Sequence, residues 1–235
     1  MSPRVALIVL LFGIFASIIF YFVPNIDLWV SSQFYNPDHG FMLYDSKFVH
    51  ITRILVNRSI FIVMLILSLG LLIRFFFENI PIPIQSKTCL YLILCFILGP
   101  GLIVNYGLKN HWGRPRPLQI IAFHGEKQFT SAWQISHQCT HNCSFVSGDA
   151  AGIFSLIAFV GISQRKKIIT LTVLSLGAFI GIMRIGEGGH FLSDIVLSAV
   201  ITYLISWILH YFLYKNTALL EPIVKLNLRQ LLSNK

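Results

Sequence analysis

The sequence predicts an all-α integral membrane protein: one membrane-embedded domain over 1–235, six transmembrane helices in a bundle, and a polar site at one membrane surface. Three observations carry that expectation. Hydrophobic residues make up 55% of the chain and mean hydropathy is +0.74, values that soluble domains do not show. The apolar residues fall into six runs, each near the length that crosses a hydrocarbon core of about 30 Å at about 1.5 Å per residue. The polar residues gather in a few islands between those runs.

The first run, 5–23, is followed by Pro24-Asn25 rather than by a small-residue cleavage site, so it reads as a retained anchor and not a signal peptide. Residues 25–58 intersperse Trp29, Phe34, Tyr35, Phe41 and Tyr44 with polar side chains, the pattern of a segment lying along the interface with aromatic anchors. The second span is expected over 59–77, closed by Arg74 and Glu78. A connection through Pro81 and Pro83 leads to the third, 88–106, where Pro100-Gly101 predicts a kink. The longest polar stretch, 107–144, comes next. Spans over 145–162, 168–183 and 195–214 complete the six, with a short basic tail.

A formal net charge of +9 raises nucleic acid as a partner, but the basic residues are scattered among apolar spans instead of forming one soluble face. Anionic headgroups and phosphorylated substrates are the better match. The short loop Gln164-Arg165-Lys166-Lys167 has Arg4, Arg74, Lys87, Lys215, Lys225 and Arg229 on its side of the membrane, which makes that side cytoplasmic. The opposite side carries a similar number of cations, so loop length decides the orientation. Counting spans then puts the 107–144 loop and the 184–194 stretch on one non-cytoplasmic face. Cys89 and Cys95, inside an apolar run, read as packing, whereas Cys139 and Cys143 suit a small disulfide in an oxidising compartment. The sequence sets no oligomeric state.

Three clusters share that face. Lys109, Arg114 and Arg116, stiffened by Pro115 and Pro117, suit a polyanion because guanidinium groups grip phosphate oxygens in pairs; such a patch also suits anionic lipid. Ser147, Gly148 and Asp149 open the fourth span, where free backbone N–H groups bind anions, unless Ser147 or Asp149 is only a helix cap. The third cluster is Arg184-Ile-Gly-Glu-Gly-Gly-His190-Phe-Leu-Ser-Asp194. A helix starting near Gly189 would set His190 and Asp194 one turn apart, the carboxylate holding one imidazole nitrogen and leaving the other bare, though a cap with its salt bridges uses the same groups. No set of His, Cys or Asp has metal-site spacing, so neither metal nor other cofactor is expected.

These residues carry a resemblance. Lys109 to Pro117 is similar to the K-x6-R-P signature of the type-2 phosphatidic-acid phosphatase family, Ser147-Gly148 to the centre of its P-S-G-H signature, and Arg184 to Asp194 to its R-x5-H-x3-D signature. Within the family, His111 to Pro117, the Cys139/Cys143 pair leading into Ser144 to Asp149, and Gly188 to Asp194 resemble bacterial lipid A 4′-phosphatases. The resemblance implies an inner-membrane phosphatase with its site facing the periplasm. It makes His190 the nucleophile, forming a phosphohistidine, and Asp194 the group that orients it. Lys109, Arg116 and Arg184 hold the phosphate oxygens, with Ser147 and the Gly148 N–H completing the cradle. The signatures define the reaction more narrowly than the lipid: undecaprenyl diphosphate and phosphatidylglycerophosphate undergo the same chemistry. Two positions depart from the pattern. Val146 replaces a proline, and Asp149 stands where the family has a histidine that protonates the leaving oxygen. Either Asp149 serves as that acid, which requires a pKa well above the carboxylate reference of about 3.9, or His111, His141 or water does so.

Overall fold

A computed structural model describes residues 1–76 and 85–215. Residue 77, Glu78, Pro81, Pro83, Lys225 and Arg229 lie outside the described residues, as does the side chain of Arg74.

Helix α1 (Pro3–Phe22) starts on a proline, whose missing N–H is no loss in a first turn. It is followed by a short helix, α2 (Asn25–Ser32), and a small antiparallel hairpin in which β1 (Tyr35–Asn36) pairs with β2 (Gly40–Phe41), Tyr35 opposite Phe41. The remaining helices are α3 (Lys47–Phe76), α4 (Ser86–His111), α5 (Gly148–Ile162), α6 (Lys166–Gly186) and α7 (Leu192–Lys215). Among the described residues, α1, α3, α4, α6 and α7 are long and apolar enough to cross a membrane, and α5 is a shorter apolar helix. Side chains such as Leu7, Phe12, Phe61, Ile66, Phe179 and Ile182 are exposed on these helices, which suits a hydrocarbon surround. The chain is therefore a multi-pass, all-α membrane protein. Helix α7 is central, touching α1, α2, α4, α5 and α6, and its buried Ser198 and Thr202 return their hydroxyls to carbonyls of their own helix.

The structure corrects the expected spans in three places. Helix α3 begins at Lys47, twelve residues before the expected 59, so the last 12 of the 34 residues of the presumed interfacial segment belong to this helix. Its polar residues Arg53 and Asn57, one turn apart, face a polar cavity and leave the helix intact. Pro100 does not end its helix either: Ile97–Leu108 widens into π-helical turns that absorb the missing N–H, and the helix runs on to His111. That extension lifts Lys109 out of the expected loop and onto a helix end. The fourth span starts late, at Gly148, because the buried segment Ser144 to Ser147 is not helical and bonds instead to the 184–194 stretch, its Ser144 carbonyl to His190 and its Ser147 N–H to the Asp194 carbonyl.

The aromatics expected as interfacial anchors divide. Trp29 and Tyr44 are exposed, but Phe41 is buried with Ile120, Phe123 and Phe191 against the 184–194 stretch. Gly188, at φ +68°, turns the chain there, and a Cβ on it would meet the Phe41 ring at 2.5 Å. Backbone bonds from Leu43 N–H to the Gly186 carbonyl (3.0 Å) and from Leu118 N–H to the Gly188 carbonyl (3.1 Å) clamp the hairpin and the loop to the same turn.

Candidate active site

A polar cavity of about 290 Å³ opens where the ends of α3, α4, α5 and α6 meet the 112–147 loop. Its walls include Lys109, Arg116, Gly148, Asp149 and Arg184, so the structure brings together residues of all three sequence clusters. Arg53, Asn57, Asn105 and Asn142, not expected from the sequence, also line it.

Each cation is held by a neighbour. Lys109 Nζ donates to Asn142 Oδ1 at 3.1 Å and Arg116 Nη2 to the Asn142 carbonyl at 2.9 Å, so one residue sets two positive charges. Asn142 adopts φ +51°, a left-handed conformation asparagine tolerates, at the tip of a loop closed by the Cys139–Cys143 disulfide. Arg184, in the last turn of α6, sets Nε 3.1 Å from Asp149 Oδ2 and pairs through Nη1 with Glu187 Oε2. Arg53 reaches the other oxygen of Glu187 at 2.8 Å and lies 3.5 Å from Asp149 Oδ2. Arg53, Asp149, Arg184 and Glu187 thus form a closed ring of alternating charge. Gly148 gives the cavity room: a Cβ there would come within 2.4 Å of Asn105 Oδ1 and 3.4 Å of Lys109 Nζ.

His190 lies buried within electrostatic reach of Lys109, Arg184 and Asp149. The helix begins at Leu192 rather than near Gly189, so His190 stands outside α7, yet its Nδ1 side still faces Asp194 as the spacing predicts. Its Nδ1 is 2.8 Å from the Ser144 carbonyl, which can only accept, so Nδ1 carries the proton and Nε2 is the bare nitrogen. Nε2 is buried without a hydrogen-bond partner among the described residues. Asp194 Oδ2 stands 3.6 Å from Nδ1 and accepts from the Phe191 N–H (2.8 Å) and the Ser144 hydroxyl (2.5 Å). The carboxylate therefore caps α7 and holds Ser144, which in turn fixes the ring. Burial above all holds the imidazole far below its ordinary pKa, to about 3; Arg184 and Lys109 push the same way, and Asp194 pulls against them. His190 is thus a neutral imidazole at ordinary pH.

Two expected ligands stand elsewhere. Ser147 is buried and accepts the Ala150 N–H at 3.4 Å as the cap of α5, so the capping reading describes its hydroxyl. Arg114, expected beside Arg116 on the phosphate, is fully buried behind the site. It donates through Nη1 to Asp194 Oδ1 (2.7 Å) and Ser193 Oγ (2.8 Å), through Nη2 to Asp27 Oδ2 (2.8 Å), and through Nε to the Thr130 carbonyl (2.9 Å). The reason is the set of partners: two buried carboxylates, Asp27 and Asp194, and the Thr130 carbonyl hold the Arg114 guanidinium inward.

Asp27 is the residue that the sequence hid most completely. It is fully buried, and besides Arg114 it accepts from the Ser193 N–H (2.8 Å) and hydroxyl (2.5 Å). Its only signal was scarcity, as the chain has nine acidic residues. For Arg53, Asn57 and Asn105 a stronger signal existed: polar side chains one helical turn from one another or from Lys109, at the ends of apolar spans.

Comparison with known proteins places the chain in a family. Residues 90–218 match the PAP2 superfamily. The lipid A 4′-phosphatase of Francisella tularensis subsp. novicida (strain U112) is 35% identical over 205 residues, 86% of this chain and 92% of that one. The lipid A 4′-phosphatase of Rhizobium leguminosarum is 42% identical over 104 residues, 43% of this chain and 44% of its own length. No solved structure matches.

Proposed function

The chain belongs to the PAP2 superfamily, and on that premise we propose that it is a lipid A phosphatase of the bacterial inner membrane, removing the 4′-phosphate from the periplasmic side through a phosphohistidine on His190. One observation carries the reading: a neutral imidazole with a bare, unpartnered Nε2 lies behind a cavity lined by Lys109, Arg116 and Arg184. The shared name of the relatives supports the lipid.

Lys109, Arg116 and Arg184 receive the three non-bridging oxygens and match charge that spreads over them in a loose transition state. Asp149 sits against Arg184, so an incoming phosphate must compete with that carboxylate. The Gly148 N–H, at the start of α5, adds a donor. Nε2 attacks phosphorus, the P–O bond breaks, and the ring becomes an imidazolium whose Nδ1–H is held by the Ser144 carbonyl, with Asp194 3.6 Å away to stabilise its charge. Water then attacks the phosphohistidine and releases phosphate. Guanidinium and ammonium groups supply the positive charge that a metal supplies in other phosphatases, so the reaction proceeds without one. The purified protein should release phosphate from a defined lipid A 4′-monophosphate with chelator present. Turnover of only a lipid diphosphate, or loss of activity in EDTA, would remove the corresponding part of the reading.

A further inference from the structure

We propose that Arg53, outside every signature of the family, is a further catalytic cation that contacts the leaving oxygen of the substrate; this rests on the phosphatase reading above. Depth in the cavity carries the argument. His190 is 0% exposed and Arg184 side chain 1%, whereas Asp149 and Glu187 side chains are 15% and 16% and that of Arg53 is 32%. Exposure thus rises from His190, buried behind the lining, to Arg53, the more exposed of the two cations in the charge ring and so the one nearer the solvent side. In-line displacement sets the leaving oxygen opposite the attacking nitrogen, hence toward the mouth. A group that stabilises the departing oxygen belongs where Arg53 stands.

The side chain is also prepared for that role. Glu187 holds Nη1 at 2.8 Å and so fixes the guanidinium, while Nε is buried and has no hydrogen-bond partner among the described residues. Its nearest anion is Asp149 at 3.5 Å, beyond hydrogen-bond range. Arg53 thus lines the cavity with one N–H still unsatisfied, and a substrate oxygen that displaced Asp149 from beside it would supply the acceptor. Asn57, one turn along α3, donates to Asp149 Oδ1 at 3.3 Å and keeps that carboxylate beside the same spot.

The chemistry balances without a strong acid. The bond from phosphorus to His190 Nε2 forms, the P–O bond breaks, and its electron pair stays on the leaving oxygen. Arg53 stabilises that charge by a hydrogen bond while a water at the mouth supplies the proton, and the hydroxide left behind is consumed as the phosphohistidine is hydrolysed. A fixed guanidinium thus eases departure where a carboxylate, ion-paired to Arg184, is poorly placed to donate a proton.

Leaving-group dependence separates this role from a merely structural link between α3 and Glu187. The rates of wild type, Arg53→Ala, Arg53→Lys and Glu187→Gln are to be compared on p-nitrophenyl phosphate, whose leaving group needs no help, and on a long-chain alkyl phosphate in micelles, whose leaving group does. We expect Arg53→Ala to lose about a hundredfold in kcat/KM on the alkyl phosphate and roughly tenfold less than that on the aryl ester, with Arg53→Lys restoring part of the difference and Glu187→Gln showing a weaker form of it. Equal losses on both esters, or none, would overturn the proposal. Wild type that cleaves neither ester nor lipid A phosphate would instead overturn the phosphatase reading, and the proposal with it.

Discussion

Replacing Arg114 by alanine should damage the fold far more than it damages substrate binding, the reverse of what a phosphate ligand would show. In the structure its guanidinium is the shared cation of two fully buried carboxylates, Asp27 and Asp194, and it also bonds Ser193 and the Thr130 carbonyl. Removing it leaves two anions in a desolvated site with only hydroxyl and N–H partners. Breaking one buried pair by deleting a partner costs about 3 to 5 kcal/mol, a large part of a total stability of about 5 to 15 kcal/mol. The loss should reach at least the upper end of that range, because two pairs go together. Arg116→Ala removes the same formal charge from a partly open wall, where its guanidinium donates to the Asn142 carbonyl, and should cost no more than about 1.5 kcal/mol of stability while lowering kcat/KM by about a hundredfold or more. Thermal unfolding in detergent, followed by intrinsic tryptophan fluorescence, compares the two. Arg114→Ala that melts like wild type and only raises KM would refute the assignment of Arg114 to the scaffold.

Other consequences follow from the same geometry. The depressed imidazole should leave the His190 ring signal, identified in labelled protein by its absence from His190→Gln, unchanged between pH 7.5 and pH 5, as its folded pKa of about 3 lies well below that window; a midpoint near 6.5 would contradict the burial argument. The sign for stability is that an unfolded imidazole takes up a proton below about 6.5 while the folded one does not, so His190 makes the fold less stable as pH falls from there toward 3. Gly148→Ala should raise KM for phosphate esters and weaken inhibition by inorganic phosphate, since the new methyl meets Asn105 and crowds Lys109; unchanged phosphate inhibition would show that the cavity is not the phosphate seat. Asp149→Asn should bind inorganic phosphate more tightly, because Arg184 loses its resident anion, and weaker binding would show the carboxylate to be a ligand-positioning group instead.

The apolar runs were legible because hydropathy needs no partner to be read. The start of α3 was not, since Lys47, Arg53, Asn57 and Arg58 look like loop until the cavity that receives some of them is known. Among site residues, Lys109, Arg116, Arg184 and His190 stood out as costly groups beside apolar spans, and the structure gathers them at one site. Arg114 misled because a guanidinium two residues from Arg116 offers the same chemistry on paper, and only its buried partners distinguish it. Asp27 lies 87 residues from Arg114 in the chain, and no spacing rule connects such a pair. The His190–Asp194 spacing shows the pairing at Nδ1, 3.6 Å in the structure, but not the closer Ser144 carbonyl or the use of Asp194 to cap α7, because Ser144 lies 46 residues away in the chain.

The central claim, that bare Nε2 of His190 is the nucleophile, is tested most directly by rapid acid-free quenching of the enzyme with a substrate carrying labelled phosphate, followed by peptide mapping. The expected result is an acid-labile, base-stable phosphoryl group on His190, absent from His190→Ala, which still folds and has lost turnover. Label on any other residue, or turnover retained by His190→Ala, would contradict it.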